Sequence, residues 1–202
     1  RLRGPGGAND EFIEIYNASG MDHVVSAFLG TGYGVAASNG VTRCTIPNGT
    51  VVPAGGHYLC VNSNAYSLSS HPAGNGTTAT GDATYTAEIP DNAGIAIFNN
   101  DTGGGSYSIP NRMDAAGSAS EALALYKEGA GYPTIIPFST NYAWVRKKPG
   151  GCTGSSDSHP YDGNCTTHAP IPGTPGPTSG EPQDTNDNPA DFISVDTNGV
   201  DA

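Results

Sequence analysis

The run Glu11-Phe12-Ile13-Glu14-Ile15-Tyr16-Asn17 decides the fold class of this chain. Large apolar and acidic residues alternate along it, so one face is buried and the other is wet. A period of two marks a β-strand. The Gly-rich segment Arg1–Gly7 precedes the run as a turn, and Asn17 ends it.

Outward from this strand the same pattern recurs in short pieces. The stretch from His23 to Gly40 reads as two short strands around a Gly-rich turn. The stretch from Val41 to Asn64 adds further strands, punctuated by Pro47-Asn48-Gly49 and Pro53-Ala54-Gly55-Gly56. Residues Asn64–Thr86 are small, polar and Gly/Thr-rich, as in a long loop or weak edge structure. Strands follow at Asn92–Asn99 and at Asn141–Lys147, which carries the only Trp. Glu121–Lys127 alternates and is read as a strand, although its propensity also suits a short helix. Short strands with frequent turn signals predict a sandwich.

Composition agrees. There are 29 Gly and 16 Pro in 202 residues, and only 13% of residues are charged. Such a chain favours turns over helices. Nineteen acidic residues face eight basic ones, a net charge of -11. Nucleic-acid partners are excluded on this ground, because they demand basic patches. Arg146-Lys147-Lys148 is too short to make one. No apolar run is long enough for membrane insertion by a helix.

Four cysteines, Cys44, Cys60, Cys152 and Cys165, lie without a CxxC pair. Of the connectivities they allow, the sequential one closes the shortest loops. Zinc is the rival reading, but clustered ligand pairs are missing. Disulfides imply an oxidising compartment. Five N-x-[ST] sequons, at Asn17, Asn48, Asn75, Asn100 and Asn164, are candidate glycosylation sites. The start at Arg1, without a Met, leads to the expectation that an export signal has been removed.

From about Thr166 the composition shifts to a Pro-rich linker, which leads into the strand-like run Phe192-Ile193-Ser194-Val195. The expected organisation is therefore a β-sandwich over residues 1–165 and an arm over 166–202. An arm of this composition is ordered only where something holds it. It is expected to dock on its own body or on a neighbouring subunit.

Catalytic signals are sparse. Gly30-Thr31-Gly32-Tyr33-Gly34 is not followed by a helical sequence, so a turn is expected rather than a nucleotide loop. No GxSxG elbow occurs, and His23, His57, His71, His159 and His168 are scattered. Two acidic clusters remain. One is Asn9, Asp10, Glu11 and Glu14. The other is Asp184, Asn186, Asn188 and Asp191, whose alternating oxygen side chains suit calcium, although no EF-hand glycine or terminal Glu is present. The competing reading is a loop of Asx-turns.

The block RGPGGANDEFIEIYN (Arg3–Asn17) resembles the opening of the lamin tail domain found in exported bacterial proteins. PNGTVVPAGGHYLCVNSN (Pro47–Asn64) is similar to a later segment of that family. So are NYAWVRKKPGG (Asn141–Gly151) and PQDTNDNPADFISVDTNG (Pro182–Gly199), its closing segments. The resemblance implies an all-β, immunoglobulin-like β-sandwich without an active site. That family carries a short apolar strand before the Arg-Gly turn; here the strand is expected either to have been removed by processing or to have shrunk to Leu2. An edge left open in this way invites another chain. The expected function is a non-enzymatic extracellular structural protein, a subunit that assembles with copies of itself through Phe192–Val195 into a filament or layer. The alternative is a secreted binding module for glycan or cell wall, using Tyr107, Tyr132, Tyr142 or Tyr161 as platforms. The weakest reading is a hydrolase built on an acidic cluster.

Overall fold

The alternation in Glu11–Asn17 becomes part of a ten-residue strand. In the computed structural model, which describes residues 2–4, 7–67, 79–136, 142–146 and 184–196, strand β1 is Leu2–Gly4 and β2 is Gly7–Tyr16. Ile13 is buried while Glu14 is exposed, as a strand with one wet face requires. The remaining strands are β3 (His23–Val24), β4 (Gly32–Ala37), β5 (Thr42–Pro47), β6 (Val51–Val52), β7 (His57–Asn62), β8 (Ala83–Tyr85), β9 (Ile95–Phe98), β10 (Arg112–Ala116), β11 (Tyr142–Arg146) and β12 (Phe192–Asp196). One turn of helix, α1 (Asn188–Asp191), leads directly into β12. The fold is all-β.

Two main sheets pack face to face. The larger has the order β12-β11-β1-β2-β7-β8 and the smaller β10-β9-β4-β5, with β3-β6 as a separate ribbon. Only β7 and β8 run parallel among these named pairs. The core between the sheets joins Ile13, Tyr58 and Cys60 of the larger sheet to Val35, Ile46, Ile95 and Ile97 of the smaller. The Cys44–Cys60 disulfide ties β5 to β7 and so links the two sheets covalently. Cys152 and Cys165 lie outside the described residues.

Four features differ from or add to the expectations. First, the strand before the Arg-Gly turn is present as β1, which sits between β2 and β11 and leaves no gap there. Second, Glu121–Lys127 is not a strand; Ala124–Tyr126 forms a 3₁₀ turn. Its polar groups are taken up by side chains. Arg112 Nη1 donates to the carbonyls of Ala124 and Lys127, both at 2.9 Å. Glu121 accepts from Gly94 N and Leu123 N. No ladder is needed to satisfy this backbone. Third, Arg112–Ala116, which carries little strand propensity, is β10. Fourth, residues 184–196 dock on the body of the same chain, one of the two placements expected for the closing arm. The closing strand β12 pairs with β11 of the same chain over five residues, from Tyr142↔Asp196 to Arg146↔Phe192.

The Gly30–Gly34 stretch is the expected turn and strand entrance. A Cβ on Gly34 would lie 2.5 Å from the Tyr107 hydroxyl, so glycine is required there by close approach.

Candidate functional site

The seam where the closing segment meets the body gathers most of the unusual chemistry. Three elements build it. β10 contributes Arg112 and Asp114, the turn after Tyr126 contributes Glu128, and β11 contributes Arg146. The closing segment adds Asp184, Asn188, Asp191 and Phe192.

Asn188 is fully buried and replaces a stretch of ladder. Its Oδ1 accepts from Gly117 N and Glu128 N, both at 2.9 Å, and its Nδ2 donates to Ala115 O at 2.8 Å. Asp191, also fully buried, accepts from Thr185 N and Thr185 Oγ1. Phe192 joins an aromatic cluster in which Tyr132 stacks on Trp144 at 3.9 Å. The Arg146 guanidinium lies 4.6 Å over the Phe192 ring, a cation–π contact.

Arg146 is also the electrostatic centre. It hydrogen-bonds Asp114 and stands 3.4 Å from Asp184, 3.5 Å from Asp191 and 4.0 Å from Glu128. Arg112 meets the other oxygen of Glu128 at 3.3 Å. Glu128 is buried, and its Oε2 makes no hydrogen bond. Burial, reinforced by the charge of Asp114, pushes the Glu128 carboxyl up to about 7. Burial likewise raises Asp114, against the pull of Arg146. Burial pulls the Arg146 guanidinium down, but Asp114, Asp184 and Asp191 together raise it further above its ordinary value.

These shifts have a sign. A carboxyl raised in the fold binds more protons folded than unfolded, so its contribution is present at low pH and is lost as pH rises through the folded value. Between about pH 5 and about pH 8, in a chelating buffer, stability is expected to fall by about 1–3 kcal/mol from Glu128 alone. Thermal unfolding across that range checks this. Glu128→Gln should flatten the slope, and an unchanged slope counts against the assignment.

Beside the seam, a cleft of about 810 Å³ opens between the sheets. Its walls include Ile15, Ile97 and Trp144, and Asp114, Arg146 and Asp184 reach it. The polar cluster is therefore approachable from outside.

The other expected sites fall as follows. Asn188 and Asp191 are turned inward, and the Asn188 oxygen already accepts two N–H groups. The series Asp184, Asn186, Asn188, Asp191 is thus a docking turn, with Asn186 at φ 58°, rather than a ring of calcium ligands. In the first acidic cluster, Asp10 accepts from Ser67 N and Glu11 from Ile89 N, both carboxylates being fully buried. Asn9 accepts from Asn62, and Glu14 pairs with His57 at 2.9 Å. His23 meets the Tyr33 hydroxyl at 3.0 Å, and His71, His159 and His168 lie outside the described residues. Tyr107, Tyr132 and Tyr142 are buried in the core and offer no platform; Tyr161 lies outside the described residues.

Among the sequons, Asn48 is exposed. The Asn17 amide donates to three carbonyls, of Met21, Val52 and Pro53. Asn100 is buried and accepts from Thr102 N and Thr102 Oγ1. Asn75 and Asn164 lie outside the described residues. Sequence reasoning missed Arg112, Asp114 and Glu128. The alternation of opposite charges at Arg112 and Asp114, in a chain with few charges, was the signal that could have found two of them. Among the described residues no helix is long and apolar enough to cross a membrane. Comparison with protein-family models, with curated proteins and with solved structures finds no match to this chain.

Proposed function

We propose that the chain is a non-enzymatic extracellular structural subunit which assembles with copies of itself by exchanging its closing strand. One observation carries the reading. β12 is the edge strand beside β11, yet residues 147–191 separate these antiparallel neighbours. A hairpin needs only about 2–5 residues. A connection of this length, if extended, reaches on the order of 100 Å, far enough to place β12 in the sheet of another copy. Its Pro-rich composition favours a spacer over a collapsed coil.

The seam contacts are the same whether β12 comes from its own copy or a neighbour. Exchange therefore costs little contact energy and depends on concentration. If each copy passes its strand onward, the assembly stays open as a filament; if two copies trade, it closes as a dimer. Exposed apolar side chains on the β3–β6 ribbon and the loop from β3 to β4, among them Val24, Val51 and Phe28, suit a contact surface. The inter-sheet disulfide suits an oxidising, extracellular setting, in line with the lamin-tail resemblance and its immunoglobulin-like fold. No glycan reading is favoured, since its described platforms are interior.

Removing residues 185–202 is a poor test, because it strips Asn188, Asp191 and Phe192 from the interior. Register gives a better one. Val145 faces Ile193 across the β11–β12 pair. One copy carries Val145→Cys and a second carries Ile193→Cys; they are unfolded, mixed and refolded together. Exchange predicts a disulfide-linked heterodimer on a non-reducing gel. The reading fails if the mixture yields none while a single chain with both substitutions closes its own bridge.

A further inference from the structure

We propose that Asp114, Glu128 and Asp184 form a site for a hard divalent cation, calcium in preference to magnesium, which clamps the closing segment onto β10. The site goes beyond the assembly reading and holds whichever copy supplies β12. Each of the three residues offers a carboxylate oxygen, and these oxygens lie within 4.8 Å of one another. They come from three separate parts of the chain, so the fold rather than a local run of acids brings them together.

A second observation points to a ligand. Glu128 is only 4% exposed, and its Oε2 has no hydrogen bond. That atom faces the cluster, because Arg146 Nη2 lies 4.0 Å from it while also contacting Asp114. A buried carboxylate oxygen that accepts no hydrogen bond, and whose nearest cation stands at ion-pair distance only, is under-satisfied and is open to a further ligand. Arg146 engages Oδ1 of Asp114 and Oδ1 of Asp184, and it is shared with Asp191. Counting the ion-paired groups, Asp114, Glu128, Asp184 and Asp191 oppose Arg112 and Arg146. Where all four carboxyls are ionised, this leaves an excess of two negative charges, which a divalent cation would offset.

The donor chemistry selects the ion. All three ligands are carboxylates, with neither His nor Cys, which disfavours zinc and softer metals. Calcium accepts about six to eight oxygens in irregular geometry, whereas magnesium demands a near-ideal octahedron. Three carboxylates of unequal burial, completed by water at half-exposed Asp184, fit calcium better. The nearby Arg146 opposes the cation, which places the affinity at the weak end, about 10⁻⁴–10⁻³ M, as in extracellular modules.

The test uses the full chain, stripped with chelator and titrated with calcium chloride by calorimetry and by thermal unfolding. One binding event and a rise of several degrees in Tm are expected. Asp184→Asn, on the exposed side, should weaken calcium binding by roughly tenfold or more, measured against its own calcium-free Tm so that a lost ligand is told apart from a weakened fold. Glu128→Gln should abolish the calcium-induced rise. The proposal is overturned if the native chain shows no heat and no Tm change up to about 10 mM calcium, ten times the weak end of that range. It is equally overturned if Asp184→Asn binds calcium as tightly as the native chain, or if magnesium gives the same response at the same concentrations.

Discussion

Asn188→Ala is expected to destabilise the chain by roughly 3–5 kcal/mol, a large share of the about 5–15 kcal/mol that holds a domain together. The substitution leaves three buried backbone groups without partners: Gly117 N, Glu128 N and Ala115 O. Each orphaned group costs about 1–3 kcal/mol. Asn188 also seats α1, so β12 should loosen first and become accessible to protease at the closing segment. Urea denaturation measures the loss, and limited proteolysis locates it. Asn188→Asp should not rescue. It keeps an acceptor for the two N–H groups, but it sets an anion against Ala115 O and beside the Glu128 and Asp114 carboxylates. A midpoint within about 1 kcal/mol of the native value for Asn188→Ala would show that the seam is held by other contacts.

Loss of the Cys44–Cys60 bridge is the second large effect. The bridge joins the two sheets through the centre of the core, with Cys60 fully buried and Cys44 nearly so. It spans a sequence separation of 16, for which chain entropy predicts about 3 kcal/mol, and removal of such bridges costs about 2–5 kcal/mol. The pair Cys44→Ala and Cys60→Ala isolates this bridge from the cysteines at 152 and 165. It should lower the unfolding free energy by that amount and steepen the transition slightly, because the unfolded chain loses a cross-link and exposes more surface. Reduction of the native protein should be slow, because the sulfurs are shielded. A double variant as stable as the native chain would mean that the core packing alone fixes how the sheets stack.

Much of the architecture was legible because strand burial is a local property. Ile13 alternates with Glu14, and the turns at Pro47–Gly49 and Pro53–Gly56 bracket short β6, as their residues require. The pairing of Cys44 with Cys60 followed from two strands joined through those turns. Phe192–Val195 read as a strand and is one. The failures are equally local in origin. Arg112–Ala116 carries two charges and two alanines, a poor strand by composition. It becomes one because β9 offers an edge and because Glu128 and Arg146 meet its charges. Glu121–Lys127 alternates as a strand should, yet Arg112 and Glu121 take up its backbone groups first.

The opening strand marks the division. By itself the sequence determined that the fold is all-β, that Glu11–Tyr16 is a strand with Ile13 buried and Glu14 exposed, and that a strand closes the described fold near Phe192. Alternation and turn residues act over a few positions, so they survive without tertiary knowledge. Only the tertiary structure decided that β1 and β11 lie between β2 and β12, and that Asp114, Glu128, Arg146 and Asp184 converge. Those residues are far apart along the chain. They meet because of strand order, and strand order depends on long-range pairing that no local period encodes.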